Sequence, residues 1–555
     1  MSDIVKNHLD RYSRYKSERG NFENLWQQLA DVLHPVRADF TAQYARGERR
    51  TDMIYDGTPM VARRGLATAI DGLIKPKTDK WFFGGVADED LNESDEVKRW
   101  FSISDERMWS AIYARPARFI QRTGEVDNDL VTFGTGCLFI GENSRRNQLL
   151  FRSYHLRDTV ICENADGIVD TVYICRELTA KQANQIWVEG GKGGTLGKKT
   201  EEALKNEKSR DDKFKFLWCV YPRDSRDPRT SDNRNMPFAS VIIDIASEHL
   251  VMEEGFPEFP FAIPRWDTAT GEIYGRSPGM IALPDSNTLQ AMGKTLLVAG
   301  QKAVDPPLWA VDDAVIGIPR TFPGGVTIVD SEAARSASGQ PFGVLDFGKN
   351  IPLGREMQND VRRMVEAAFF RNVFNLPVEG PQMTATEILE RKEEFLRTIG
   401  PVFGQLEADY VGTIAERVFG ILMRRSAEDW AVGLPGIFPM PPEILQGHEV
   451  KFSFKSPVQR ARKQIEAMGF GSAVQMIAPL AQFDPGILDN FDGDKIVRDL
   501  PDATGIPRDW LRSQEQVAEM RQQKQQQQAQ QQALMGMQQA ADVAATVRQA
   551  MPKSA

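Results

Sequence analysis

The sequence has few of the side chains that build metal or redox sites. It holds four cysteines and five histidines in 555 residues. No two cysteines are spaced as C-x-x-C and the histidines are scattered, which argues against a tetrahedral zinc site. We therefore expect no metal, no cofactor, and buried reduced thiols in a protein made in a reducing cytoplasm. The cysteines are Cys137, Cys162, Cys175 and Cys219.

Long apolar runs and an excess of positive charge are also missing. No stretch approaches the ~18 apolar residues that cross a bilayer, and the first twenty residues lack the apolar centre of a signal peptide. We expect no membrane partner, and a protein that stays in the cytoplasm or leaves it within an assembly. The 68 Lys and Arg against 77 Asp and Glu give a net charge of −9. A simple basic DNA binder is excluded unless a local basic patch exists.

Ordinary globular composition is present instead. The chain is 41% hydrophobic and 26% charged, which excludes wholesale disorder. Its length predicts several domains.

The sequence contains only incomplete matches to the motifs of enzymes and metal sites. Gly293-Lys294-Thr295 ends like a P-loop, but the first glycine would have to stand where Thr288 does, and the stretch lies in a helical pattern. Residues 489–494 begin like a calcium loop, but Phe491 occupies a ligand position and Leu500 stands where the final Glu belongs. No G-x-S-x-G or H-E-x-x-H occurs. These absences favour a structural or assembly role and predict that the chain is not an enzyme.

The first ~270 residues have the pattern of one α+β unit. Apolar periodicity predicts helices over 3–33, 58–74 and about 93–113, the first ended by His34-Pro35. Short segments rich in Val, Ile, Phe and Tyr then predict strands of a mixed or antiparallel sheet. They are 137–141, 149–154, 168–178, 214–221 and 239–245.

The middle of the chain predicts two helices around a small β module. Ser277-Pro278 is a strong helix start, and that helix ends before Pro306. Short β-like pieces follow at 308–311, 325–329 and 343–347, and then a helix over about 353–371. Because the β module between them is short, the two helices must lie side by side. The expected shape is a stalk with a knob at its tip.

The rest of the chain reads as mostly helical. Thr384 and Glu387 form a capping box for a long helix, in which Pro401 predicts a kink. Residues 430–510 have the pattern of a small helical domain. Nine of the twelve residues 521–532 are Gln, and this tract is either disordered or a polar helix that packs against copies of itself.

Basic residues on the stalk helices are candidates for contact with a nucleic acid backbone. The alternative is a solvated helix face, or ion pairs between subunits with Glu356, Asp360 and Glu366. The candidates are Lys294, Lys302, Arg362, Arg363 and Arg371.

Six segments between residues 22 and 511 carry a resemblance to a known family. They are FENLWQQLADVLHP, YDGTPMVARRGLATAIDGLIKPKTDKWFFG, FGTGCLFI, IYGRSPGMIALPDSNTLQAMGKTLLVAGQKAVDPPLWA, TATEILERKEEFLRTIGPVFGQLEADYVGTIAERVFGIL and DGDKIVRDLPDATGIPRDWL. In this order they resemble the portal proteins, or head-to-tail connectors, of short-tailed bacteriophages. The Gln-rich end lies outside the resemblance.

The resemblance implies an α+β, mostly helical portal fold, assembled as a ring that usually has twelve subunits. Its parts would be a wing, a helical stem, a small β-containing clip and a helical crown. They map in chain order to the wing at 1–276, stem helices at 277–305 and 351–371 on either side of a clip at 306–350, a tunnel loop at 372–383, a long wing helix at 384–429, a crown at 430–512 and a Gln-rich tail at 513–555.

The resemblance also implies the function: a portal at one capsid vertex, through which double-stranded DNA enters during packaging and leaves during ejection. The expected partners are DNA without sequence preference, a packaging ATPase (terminase), adaptor and tail proteins, and capsid and scaffold proteins. The protein would be made in the bacterial cytoplasm and reside in the virion. The tunnel loop is a candidate constriction, with a plain connector as the alternative; its residues of interest are Asn372, Phe374, Asn375 and Pro377.

Two other hypotheses remain. One is a different head-tail assembly protein, such as an adaptor or scaffold. The other is a DNA-packaging motor or nuclease, which would require a P-loop or a carboxylate cluster.

Overall fold

A computed structural model describes most of the first 454 residues. The described residues are 2–310 (except 46, 79, 89–90, 93, 144–146, 191–192, 224–225 and 227–231), 328, 342–344, 351–371, 400, 404–454, 517, 520–524 and 526. The chain forms two units, residues 1–456 and 457–555. In the second unit, residues 517, 520–524 and 526 are helical.

The N-terminal segment forms two helices, α1 (Ser2–Glu18) and α2 (Gly20–Leu33). The prediction of one continuous helix over 3–33 is therefore wrong at Arg19-Gly20. The Arg19 guanidinium is buried and donates to the carbonyl oxygens of Leu156 (2.9 Å) and Arg157 (2.8 Å). This anchor lets α1 lie on a sheet while α2 enters the main core.

Three more helices build that core. They are α3 (Thr58–Ile74), α4 (Asp95–Ile112) and α5 (Phe119–Phe133). The structure confirms the helices predicted over 58–74 and about 93–113, whereas α5 was not predicted. Gly134 ends α5 with φ +82°, and a Cβ there would lie 2.2 Å from the Gly275 carbonyl oxygen. Only glycine permits this turn and this close approach.

Antiparallel strands make up the β part of the unit. Their bounds are β2 Leu138–Glu142, β3 Leu149–Ser153, β4 Thr159–Glu163, β5 Val169–Thr179, β6 Lys213–Pro222, β7 Phe238–Asp244, β8 His249–Phe256 and β9 Phe261–Ala262. Two short helices, α6 (Ala180–Trp187) and α7 (Lys198–Lys205), lie between β5 and β6. One sheet has the order β3-β2-β9 and another the order β4-β5-β6-β7-β8. The five segments predicted as strands are confirmed, while β4, β8 and β9 were not predicted.

The five-stranded sheet is covered on both faces. Helix α1 packs Val5 against one face, and the other face joins the main core through residues such as Ile174. Cys162 and Cys219 lie beneath α1. Three of the four cysteines are buried, Cys175 is half-buried, and all four are free thiols. Burial raises the pKa of the Cys162 thiol to about 12, which makes it unreactive at neutral pH.

A two-stranded ribbon joins distant parts of the chain. Strand β1 (Phe82–Val86) pairs antiparallel with β12 (Val450–Phe454), with Phe82 opposite Phe454. The sequence pattern placed residues 450–454 in a helical domain. They form a strand instead, because β1 offers an edge that no local pattern reveals.

The middle of the chain has the predicted order of helix, β segments and helix, although the β piece predicted at 325–329 lies, apart from residue 328, outside the described residues. Helix α8 (Pro278–Val304) is followed by β10 (Leu308–Ala310), and β11 (Phe342–Val344) precedes α9 (Ile351–Ala368). Strands β10 and β11 pair antiparallel. A π-helix (Glu407–Gly412) runs into α10 (Thr413–Ala431). Pro401 and the Thr384–Glu387 capping box lie outside the described residues.

None of the helices in the described part of the chain is long and apolar enough to cross a membrane. Within the same residues, no group of three or more His, Cys, Asp or Glu side chains is placed to hold a metal ion.

Candidate functional site

The paired helices α8 and α9 run antiparallel. A Cβ at Gly354 would lie 2.7 Å from Leu296 Cδ2, and one at Gly293 would lie 3.6 Å from Gln358 Nε2. Residue numbers at successive contacts therefore decrease along α8 as they increase along α9. Gly354 lets the two helix axes approach closely, because a side chain there would collide with Leu296. The predicted side-by-side packing of the two helices is confirmed.

Helix α8 begins at a firmly fixed N-terminus. The Ser277 hydroxyl accepts from the Met280 N–H (3.1 Å) and donates to the Thr132 carbonyl (2.8 Å) at the end of α5. Pro278 fills the first helical position, where no N–H is needed. The cap therefore both starts α8 and ties it to the core.

One buried carboxylate holds both helices to the loop before α3. We call this group the Asp56 clamp: Asp56, Gln290, Gln358 and Arg362. Asp56 Oδ2 accepts hydrogen bonds from Arg362 Nε (2.9 Å) and Gln358 Nε2 (3.3 Å), and it forms an ion pair with Arg362 Nη2 at 2.8 Å. Its Oδ1 accepts from the Thr58 N–H (2.9 Å) in the first turn of α3.

Gln290 completes the clamp from α8. Its Oε1 accepts from the backbone N–H groups of Tyr55 (2.7 Å) and Asp56 (2.9 Å), and its Nε2 donates to the Asp56 carbonyl (2.8 Å). Three elements distant in sequence are thus locked in one place. The sequence pattern gave no sign of this, because the partners are more than 200 residues apart.

The electrostatics of the clamp favour an ionised carboxylate. Burial alone would raise the pKa of Asp56, but the hydrogen bonds from Thr58 and Arg362 outweigh it and lower the pKa. The Asp56 side chain is 4% exposed and that of Arg362 is 40% exposed. Arg362 therefore holds a fixed position within the subunit.

The other basic candidates on these helices have different surroundings. Lys294 and Lys302 are exposed on α8. Arg363 is 80% exposed and lies 3.5 Å from Asp360, and Arg371 Nη1 donates to Glu366 at 2.6 Å. The structure thus brings two of them to carboxylates that the sequence analysis named as alternative partners, but within one subunit. Their role with DNA stays a prediction, and Asn372, Phe374, Asn375 and Pro377 lie outside the described residues.

The P-loop-like stretch lies inside α8. Gly293 faces Tyr55, and the Thr295 hydroxyl donates to the Ala291 carbonyl at 2.9 Å. The stretch therefore does not form the strand-to-helix loop that wraps a phosphate. The aspartates at 489–494 lie outside the described residues.

The outer faces of the helix pair carry exposed apolar side chains. On α8 an open groove of about 750 Å³ runs beside Leu297 and Val304 to the end of the helix. On α9 the exposed residues recur at intervals of four and seven, so they share one face. They are Leu297, Val298 and Val304 on α8, and Leu353, Met357 and Met364 on α9.

Comparisons with known proteins give a consistent result. The chain matches the sequence model of a family described as bacteriophage head to tail connecting protein, over residues 5–511. A portal protein of Salmonella phage epsilon15 is 27% identical over 551 residues, 98% of this chain and 95% of that protein. A probable portal protein of Bordetella phage BPP-1 is 29% identical over 544 residues, 97% and 94%.

Solved structures add little. One chain of the virion of a native gene transfer agent particle aligns with 84% of this chain and 98% of its own length, at 11% identity and a TM-score of 0.34. That likeness is too low to carry an argument.

Proposed function

The chain belongs to the family of bacteriophage head to tail connecting proteins, and from this premise we propose that it is the portal of a phage capsid. Copies form a closed ring at one capsid vertex, and double-stranded DNA enters and leaves through the ring. The match over residues 5–511, with two nearly full-length relatives named as portal proteins, is the observation that carries the proposal.

The exposed apolar faces of α8 and α9 support assembly. Large side chains such as Met357 (53% exposed) and Val304 (88% exposed) gain from burial against another protein surface. The two faces lie on different helices, so a contact between them is heterologous and generates a ring when its rotation closes. We propose that α9 of one copy packs in the α8 groove of the next, in a ring of twelve.

The charge of the paired helices suits a conduit that does not hold its cargo. Strong phosphate binding along a channel would stall DNA, and base recognition would stop it at preferred sequences. We propose Lys294, Lys302 and Arg363 as sparse contacts to the DNA backbone, with Arg371 weakened by Glu366. Arg362 serves the Asp56 clamp instead. Residues 372–383, with Phe374 and Pro377, form the constriction of this proposal.

The remaining parts follow the same scheme. Residues 1–276 and 384–429 form the wing, 277–305 and 351–371 the stem, 306–350 the clip and 430–512 the crown. The portal itself has no hydrolytic activity. A packaging ATPase docks at the clip and is later replaced there by adaptor and tail proteins. Capsid and scaffold proteins hold the ring at its vertex. The protein is made in the bacterial cytoplasm and ends in the virion.

Negative-stain imaging with mass measurement on the purified full chain tests the ring. We expect rings with a central hole wide enough for duplex DNA. Met357→Glu should yield separate subunits, whereas Ile168→Glu, at an equally exposed residue outside the helix pair (63% exposed), should leave rings intact. Rings in both variants would refute the contact, and a small, monodisperse protein with ATPase or nuclease activity would refute the portal.

DNA passage is tested separately. Charge reversal at Lys294, Lys302 and Arg363 should slow packaging or increase leakage while rings still form. Normal packaging in all three variants would remove these residues from the mechanism.

A further inference from the structure

A π-helix interrupts the helix that leads into α10. Residues 404–406 are helical, Glu407–Gly412 form the π-helix, and α10 follows directly. A π turn holds one more residue than an α turn, is rare, and occurs mainly where a helix carries a function. Tyr410, Val411 and Gly412 within it are buried.

The π-helix rests on a buried ion pair, which we call with its aromatic neighbour the buried node: Lys75, Asp127 and Tyr410. Lys75 Nζ donates to both Asp127 carboxylate oxygens, at 2.9 and 2.8 Å, and neither side chain has exposed area. The same Nζ lies 3.4 Å from Asp71 and 4.7 Å from the centroid of the Tyr410 ring. The Tyr410 hydroxyl donates to the Thr123 carbonyl at 3.4 Å.

Two residues at the end of the π-helix accommodate its wider turn. The Thr413 hydroxyl donates to the Asp409 carbonyl, four residues earlier, at 3.1 Å. Gly412 has no side chain, and a Cβ there would lie 3.1 Å from the Glu407 carbonyl oxygen. The absence of a side chain at Gly412 therefore leaves room for the π turn.

The node contacts the π-helix at Tyr410, so a change of register would break this contact. A residue in an α-helix turns by about 100° and rises 1.5 Å, so replacing the π turn by an α turn rotates and shifts one flank by one residue. Leu406 and Ile414 are fully buried on the two flanks, so both cannot keep their contacts if Tyr410 leaves the node. Buried ion pairs add little net stability over apolar residues, and their best-attested use is to specify register.

We propose that the π-helix is a register switch: the helix exchanges its π turn for an α turn, residues 404–406 shift by one residue relative to α10, and the contact of Tyr410 with Lys75 and Asp127 holds the π form. The proposal goes beyond the portal function and does not depend on it. A helix that changes register can move the segment before it while α10 remains packed.

Hydrogen exchange on the full-length protein tests the switch. The double variant Lys75→Met/Asp127→Leu replaces the ion pair with apolar residues of similar volume, so the fold should survive. We expect the amides of 407–412 to become at least tenfold more protected, because i→i+4 hydrogen bonds of the α form replace the less favourable i→i+5 bonds of the π form, while α5 and α10 keep their protection. Unchanged protection at 407–412, or a loss shared with α10, would overturn the proposal.

A second variant works without touching the node. Gly412→Ala favours the α form, since alanine is the better helix former and its Cβ crowds the π turn. We expect about a fivefold gain in protection at 407–412, which is the effect of about 1 kcal/mol in helix propensity. Glu258→Gln is the control: it weakens the ion pair with Arg417 on α10 and should leave the π-helix unchanged. A structure of the double variant with the π turn intact would also refute the switch.

Discussion

Adjacent arginines on α9 offer a direct test of the Asp56 clamp. Arg362→Ala and Arg363→Ala change the same residue type one position apart on the same helix. Arg362 Nε donates a hydrogen bond to the buried Asp56 at 2.9 Å, and Arg362 Nη2 forms an ion pair with the same carboxylate at 2.8 Å. Arg363 has a single contact with Asp360, at 3.5 Å, with both side chains largely exposed. We expect the first change to destabilise the helix pair and the second to leave it unchanged.

The magnitudes follow from exposure. A hydrogen bond to a charged group contributes about 1.5–3 kcal/mol, and we take about 2 kcal/mol because 40% of the Arg362 side chain is exposed to screening solvent. The loss of Arg362 also leaves Asp56 without its cation. An exposed pair such as Arg363–Asp360 contributes about 0.2–0.5 kcal/mol. At 1.4 kcal/mol per factor of ten, the expected effects are roughly 30-fold and at most about twofold.

Hydrogen exchange of peptides that cover 54–58 and 355–365 measures this directly. Arg362→Ala should accelerate exchange in both peptides, because the clamp joins them, while peptides from the five-stranded sheet stay protected. Equal effects from the two variants would show that the clamp does not hold the helices. Acceleration in the α9 peptide alone would show that Asp56 is held without Arg362.

Three further predictions concern single side chains. Burial raises the pKa of Asp105 to about 7, although the hydrogen bond from the Gly84 N–H and the charge of Lys80 act in the opposite direction. The folded state therefore keeps a proton that the unfolded state loses near pH 4, so the free energy of unfolding should fall as pH rises from 4 to 7. Asp105→Asn should abolish that fall in thermal melts. Burial and the nearby charge of Arg11 lower the pKa of His8 to about 4. The unfolded state therefore binds a proton before the folded state does, and the free energy of unfolding should fall as pH drops from 6.5 to 4. His8→Phe should remove this loss in the same melts. Glu248 is exposed with φ +48° in the β7–β8 turn, so Glu248→Gly should stabilise the protein by about 0.5–1 kcal/mol in urea unfolding, and a loss of stability would contradict the strain.

Helix boundaries were predictable where the signals are local. Helices α3 and α8 each have proline in the first turn and end just before another proline, so their bounds could be predicted closely. The break at Arg19-Gly20 could not, because its cause is a guanidinium that binds carbonyl groups about 140 residues away.

The candidate site was predictable only in outline. Two side-by-side helices and their exposed basic residues follow from pattern and loop length. The different roles of Arg362 and Arg363 do not, since they are set by a loop 300 residues earlier. The π-helix left a trace that was not used: Leu406, Tyr410 and Ile414 are spaced by four, and each such step drifts about 40° around an α-helix. A wider turn corrects this drift and keeps all three buried.

The β1–β12 ribbon has a consequence for how each molecule is made. Val450 pairs with Val86, so 364 residues (450 − 86) must be synthesised before β1 meets its partner. At about 5–20 residues per second, the unpaired edge of β1 waits roughly 20–70 s on the ribosome. An open edge is a site for pairing with the wrong chain. Polysomes that translate this protein therefore carry many unpaired β1 strands at once, and the synthesis of β12 closes the edge that the two strands share.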